Sequence, residues 1–478
     1  MPKVWKYTYI PNPEGVFSLT SLFPTMRRRA CALAILAFAL VSLVPASAYA
    51  GFRTRGYGPV IDNSFYEGQS KCQPAPKPGV LAFRSMVLNA FPVFGVGGIS
   101  RGCSIGGQSE HKEGRAWDMS ANAGYESHRA AVKRLFDKLL ATDRYGNEAA
   151  LAKRLGIMYM IWNRRIWGTW SGWSTYCVQK PRGCVDPDEG GLRHPHTDHV
   201  HFSFTWAGAR KQSTYYYPER SMMTGVAAHP SWGYWLLGAN GGVTPFQTGW
   251  YGSRSDSFLP KPAVGMASTT SGGGYWIVTR AGRVFAFGDA KNRGFVKGLS
   301  VRIVDIEVTP TGKGYWLLAK SGRVFPLGDA TKNGGATDSG GEFAAMASTP
   351  SGNGYWLFGT RGNVFAFGDA RDLGGLANED LDAPVVGGDN LTDGGYWLIT
   401  SKGRVEGFGT AQNLGDPRDK TLDGVAIGLA ANPAGTGYWI ATSKGRVLHY
   451  GEAEDIGSMA IQDVGMFNSA RVPTGLRD

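Results

Sequence analysis

The sequence predicts an α+β domain followed by an all-β repeat domain. Two observations carry that expectation. A Gly-Tyr-Trp triplet recurs six times from Gly233 onward, and the stretch before it alternates helix-period and strand-like apolar runs. At 478 residues the chain is also too long for one ordinary core. A hydrophobic share of 42% and a charged share of 18% are those of a globular chain, so a wholly disordered protein is excluded.

The first fifty residues read as an extension and an export signal. Arg27-Arg28-Arg29 precedes an uncharged run from Ala30 to Val44, and Ala48 and Ala50 then give the small-x-small pattern of a cleavage site. The apolar run is shorter than the ~20 residues a spanning helix needs, so no stable membrane insertion is expected once the signal, about residues 26–50, is cleaved off. Residues 51–79 read as a linker. The net charge of +12 is scattered, without the basic run of a nucleic-acid arm, and no nucleic-acid partner is expected. Outside the signal lie Cys72, Cys103, Cys177 and Cys184, an even number suited to an oxidising compartment. Three pairings are open; Cys177 with Cys184 would close a short loop and leave Cys72 with Cys103.

Residues 80–217 form the α+β part. Val132, Leu135, Phe136, Leu139 and Leu140 make a helical stripe within Tyr125–Thr142, and Ala149–Leu155 suits a second helix. Ile157–Trp162 and His199–Phe204 read as buried strands. The tryptophan-rich run from Trp162 to Trp173 suits either a substrate groove or the core.

Histidine placement points to chemistry. Four of the eight histidines fall between His194 and His201. His111 and Asp118 stand seven positions apart with Gly114 between them, where a turn can bring both onto one ion. On a strand, His199 and His201 project from one face, so one can ligate while the other reaches the reacting water. His111, Asp118 and His201 supply the two imidazoles and one carboxylate that a hydrolytic zinc accepts, with a fourth position open. Calcium would want more oxygens. His199 or His196 is placed to take a proton, and Arg101 could grip a carboxylate or an oxyanion. His128 and His194 read as structural.

These windows, Ser109-x-His111-x-x-Gly114-x-Ala116-x-Asp118 and His199-x-His201, resemble the zinc peptidases that include lysostaphin-type enzymes, D-Ala-D-Ala carboxypeptidases and the penicillin-insensitive murein endopeptidase. The resemblance covers about residues 100–203. It implies Zn2+ on His111, Asp118 and His201, with His199 and His196 as catalytic partners in the manner of the murein endopeptidase branch. The carboxypeptidases place a glutamate shortly before the last ligand; here no Glu lies between Gly190 and His201. The expected activity is therefore hydrolysis of amide bonds in peptidoglycan peptides, by a secreted, cell-wall-associated enzyme. The rival expectation is a non-catalytic wall- or glycan-binding protein with a residual zinc site.

Residues 222–470 hold the repeat. Its tyrosines, Tyr234, Tyr275, Tyr315, Tyr355, Tyr396 and Tyr438, recur every 40–42 residues. Each unit offers three or four short strands, as a propeller blade requires, and six blades are expected. One unit cannot bury its aromatic face alone, so Tyr-Trp is expected between blades rather than as a row of sugar platforms. The aspartates after Phe-Gly read as turn formers. The units resemble the glycine-tyrosine-tryptophan repeats of exported actinobacterial proteins and imply a binding or spacing module.

Overall fold

The computed structural model describes residues 52, 56–62, 64–187, 192–255, 258–418 and 422–459. The expected signal segment lies outside them. The chain divides into residues 1–50 and 51–478, and only the second unit is described here. Among the described residues no helix is long and apolar enough to cross a membrane.

The first half combines helices with an antiparallel sheet. Helix α1 (Pro78–Ala90) starts on its proline, and its buried Val80, Phe83 and Val87 lie three and four residues apart. Then follow β1 (Gly95–Gly98), a 3-10 turn (Glu110–Glu113), β2 (Ala116–Ser120), α2 (Glu126–Leu140), α3 (Ala150–Leu155), β3 (Ile157–Trp162), β4 (Arg165–Gly168) and β5 (Gly172–Thr175). A small sheet of β6 (Val178–Lys180), β7 (Gly183–Val185) and β8 (Leu192–Arg193) precedes β9 (His199–Phe204). The main sheet runs β1-β2-β9-β3-β4-β5. The helix stripes and the β3 and β9 strands thus fall where the periodicity puts them.

Strand alternation gives this sheet two chemically different faces. Trp117 of β2 and Phe202 and Phe204 of β9 pack with Phe83 of α1, at ring separations of 5.9, 5.1 and 5.4 Å. Phe136 of α2 joins them through Phe202. The opposite face carries Asp118, His199, His201 and Ser203. Within the tryptophan-rich run Trp167 is core, and Trp170 is half exposed.

Cys72 pairs with Cys103 and Cys177 with Cys184. Within the segment expected as a linker, residues 58–62 bind both halves. Arg154 of α3 donates to Val60 O at 2.6 Å and to Gly58 O at 2.8 Å, while Val60 N donates to Ser221 O at 3.0 Å. The Val60 side chain packs with Tyr234 and Trp439 of the repeat.

The second half is all-β and repetitive: six antiparallel sheets of three strands each. The middle strand of each begins at or beside the Tyr-Trp pair and is buried along its length, as in Tyr315–Ala319. The six first strands, Met223–Ala228, Ala263–Ser268, Ile303–Val308, Phe343–Ser348, Val385–Asn390 and Ala426–Ala431, line one cleft. They touch in cyclic order, the last against the first. Each Trp packs on the Tyr of the next sheet: Trp276 on Tyr315 at 5.7 Å, Trp316 on Tyr355 at 5.6 Å, and finally Trp439 on Tyr234 at 5.3 Å. Their polar ends are satisfied as well. Trp316 Nε1 donates to Thr331 O at 2.6 Å and Tyr355 OH to Gly334 O at 2.9 Å. These aromatics are packing, not an exposed sugar platform. Asp289, Asp329 and Asp369 accept hydroxyl hydrogen bonds from Thr269, Thr309 and Thr349, fastening the strand ends as turn residues.

Candidate metal centre

The register of β2 against β9 sets the site. Asp118 stands directly opposite His201, and Ser120 opposite His199. His111 arrives from the 3-10 turn, which Ser109 caps and Gly114 closes at φ 63°, where a side chain is disfavoured. A Cβ on Gly114 would also meet Ala75 O at 2.0 Å, so glycine is required twice over. The Cys72–Cys103 bridge lies beside this turn, and Gln73 N donates to Lys112 O at 2.7 Å.

His111, Asp118 and His201 converge. His201 Nδ1 lies 2.9 Å from Asp118 Oδ1, His111 Nε2 lies 3.1 Å from the same oxygen, and the two nitrogens are 3.2 Å apart. Ligands around a tetrahedral zinc at its usual bond lengths would be separated by roughly 3.3 Å. His111 and His201 are buried, and Asp118 keeps a partly open side.

Proton placement makes the same point. Ile99 O can only accept, so the neutral His111 ring carries its proton on Nδ1, 2.8 Å away, and leaves Nε2 bare. Ser203 Oγ donates to Glu110 Oε2 and therefore accepts from His201 Nε2 at 2.8 Å, which leaves His201 Nδ1 bare. Tyr159 OH also donates to Glu110, at 2.6 Å, and its ring stacks on His201. Two lone pairs and a carboxylate oxygen then face one another with no proton between them. That arrangement fits a cation.

Burial alone would raise the Asp118 carboxyl, but hydrogen bonds and charge from His111 and His201 in their protonated forms outweigh it and hold it well below the usual carboxylate range; a cation facing the neutral rings would do the same. Burial lowers His201, although Asp118 pulls the other way. His196 is pushed down to about 3 by burial, with the neighbouring His201 and His199 adding to it.

His199 faces this cluster, with Nε2 3.5 Å from Asp118 Oδ1 and Nδ1 2.9 Å from Asp198 Oδ1. His196 packs beside His199 at a ring separation of 4.8 Å. Arg101 is joined to the site through its main chain, its N–H donating to His111 O at 3.2 Å. Among the described residues no hydrogen bond or ion pair holds its guanidinium. His194, expected as structural, groups instead with His196 and His199. Sequence reasoning missed Glu110, Tyr159 and Ser203; the inward side of β9 at i+2 from His201 was the available signal for Ser203 alone.

Residues 72–185 match the family described as VldE, C-terminal domain. That stretch includes His111 and Asp118 and ends before His194. No curated protein matches the chain. Among solved structures, the chain is similar to a structural genomics protein of unknown function from Bacteroides thetaiotaomicron VPI-5482. The identity is 12% and the TM-score 0.35, over 48% of this chain and 69% of that one.

Proposed function

We propose that the first half is an exported zinc peptidase acting on peptidoglycan peptides, endopeptidase rather than carboxypeptidase, and that the repeat is a six-bladed β-propeller that binds or spaces. The observation that carries the enzymatic reading is the meeting of two bare imidazole nitrogens and one carboxylate oxygen within 3.2 Å, with one side open. The paired cysteines agree with an oxidising compartment. The propeller reading rests on six sheets whose last packs on their first.

His111, Asp118 and His201 would hold the ion. Zinc, when bound, supplies a Lewis acid for the scissile carbonyl and acidifies the attacking water. His199 takes the proton at Nε2, because its Nδ1 is engaged by Asp198. His199 then returns that proton from Nε2 to the leaving amine, with the His196 ring packed against it at 4.8 Å assisting by holding it in place. Arg101 is the cation assigned to the developing oxyanion. Glu110, through Ser203, fixes the tautomer of His201 and keeps Nδ1 pointed inward.

The test is digestion of purified muropeptides followed by mass spectrometry, beside casein as a general protein substrate. The full exported chain carrying one equivalent of zinc should cleave the muropeptides. His201→Ala should lose about 10³-fold in rate, the several kcal/mol that a metal contributes, together with its zinc. Full hydrolysis by His201→Ala at unchanged zinc content would overturn the assignment.

A further inference from the structure

On the rim of the proposed zinc centre lies a second cluster, made of His194, His196 and His199. Their ligating atoms fall within 4.8 Å of one another. The ring centroids are 4.8 Å apart for His196 and His199, 5.1 Å for His194 and His196, and 5.2 Å for His194 and His199.

The loop that carries them is fixed on both sides. Asn163 N donates to His196 O at 2.8 Å and Arg164 N to Pro195 O at 2.9 Å, both from the turn between β3 and β4. From the other side, Ala121 N donates to Asp198 O at 3.0 Å and Ala123 N to Thr197 O at 2.7 Å. His196 itself is held at φ 51°, a conformation that is disfavoured for a non-glycine residue and persists only where surroundings impose it. Behind the loop, Arg193 pairs with Asp186, and Cys177–Cys184 closes the small sheet.

The ring protons are also arranged for ligation. His199 Nδ1 donates to Asp198 Oδ1 at 2.9 Å and His196 Nδ1 to His194 O at 2.7 Å, so both Nε2 atoms present lone pairs. The third donor is His194, half exposed, whose Nδ1 now accepts the His196 N–H at 3.1 Å and would exchange that contact for an ion. Three imidazoles on a pinned loop suit zinc and its imidazole-preferring neighbours, not calcium or magnesium. Asp118 Oδ1, 3.5 Å from His199 Nε2, offsets the charge of a second cation beside the first.

We propose that His194, His196 and His199 form a second divalent-metal site, weaker than the first because it lacks a carboxylate ligand and faces solvent. Filling it occupies the lone pair of His199, so excess zinc arrests proton transfer and switches hydrolysis off. The site stands on its own geometry; the switch rests on the peptidase reading, in which His199 is the base.

Isothermal titration of the metal-free, full exported chain with Zn2+ tests the site without using activity. Wild type should take up two equivalents, one tight and one weaker. His194→Ala and His194→Gln should each keep only the tight one, and His201→Ala only the weaker one. A single equivalent in the wild type, or two in both His194 variants, overturns the site. Muropeptide hydrolysis along the same titration tests the switch. Wild-type activity should fall about a hundredfold between one and several equivalents, the lower range of what a positioned base contributes, while His194→Ala stays within about twofold. Two equivalents with undiminished hydrolysis overturn the switch. Two equivalents with no hydrolysis at any zinc level overturn the peptidase reading and leave the second site standing.

Discussion

Between His201 and Glu110 a single hydroxyl, that of Ser203, decides which imidazole nitrogen faces the centre. It accepts from His201 Nε2 at 2.8 Å and passes its own proton to Glu110 at 3.4 Å. Without it, His201 is free to carry its proton on Nδ1, the atom needed for ligation. Ser203→Ala is therefore expected to weaken zinc binding by about 10- to 100-fold with the fold unchanged. Competition with a chelator, with circular dichroism as control, measures it; unaltered affinity would remove Ser203 from the centre. The convergence of His111, Asp118 and His201 was legible in the sequence because glycine permits the turn at 114 and strand alternation pairs 199 with 201. The relay behind them was not, since Ser203, Glu110 and Tyr159 meet only through tertiary pairing. His194 escaped for a related reason: the positive φ of His196 turns the loop back on itself, and no periodicity announces that.

Among the elements, the two disulfides guard different parts of the site. Cys72–Cys103 spans 31 residues and braces the turn bearing His111, while Cys177–Cys184 spans seven and braces the loop bearing His194. Chain-entropy arguments give roughly 3.7 kcal/mol for the longer loop and roughly 2.5 kcal/mol for the shorter. Replacing Cys72 and Cys103 by serine should therefore lower the melting temperature more than replacing Cys177 and Cys184. Scanning calorimetry of the two double variants checks the order, and the reverse order would show that native contacts outweigh loop closure. Helix α2 and strands β3 and β9 could be read from apolar spacing because each buries one regular face. The hairpin of β4 and β5 could not, because a run of tryptophans fits core and groove equally well. Only the packing tells Trp167 from Trp170.

At the scale of the whole molecule, acids hold the repeat together from within. Asp305 accepts the Met346 N–H at 2.9 Å, Glu307 the Ser348 N–H at 3.0 Å and Asp389 the Ala431 N–H at 2.8 Å, each across to the next sheet. Burial is the main influence on all three and raises them, to about 7, 8 and 6 respectively. A carboxyl raised on folding adds stability that is complete below its unfolded value near 4 and is lost as pH climbs through its folded value. The thermal transition of the repeat should accordingly rise as pH is lowered from about 8 to about 5. Glu307→Gln and Asp305→Asn should flatten that dependence; an unchanged slope in the double variant would place its origin elsewhere. The six-fold repeat and its packing role were visible in the spacing of the Tyr-Trp pairs, whereas these acids occur in only two of the six first strands, Glu307 and Asp389 each opposite the tryptophan of its unit, and so carry no period.

Among the described residues no strand is exchanged where the sixth sheet meets the first: every sheet is built from three consecutive strands, and Trp439 rests on Tyr234 as each other tryptophan rests on its neighbour. The five internal junctions are thus interchangeable, and the sixth differs in taking Val60 from the segment of residues 58–62. Tandem copying or loss of one internal segment of about forty residues would leave the internal seams alike, so the number of sheets in such a chain can change by gene duplication while the one closing seam, with its Val60 contact, is carried along unchanged.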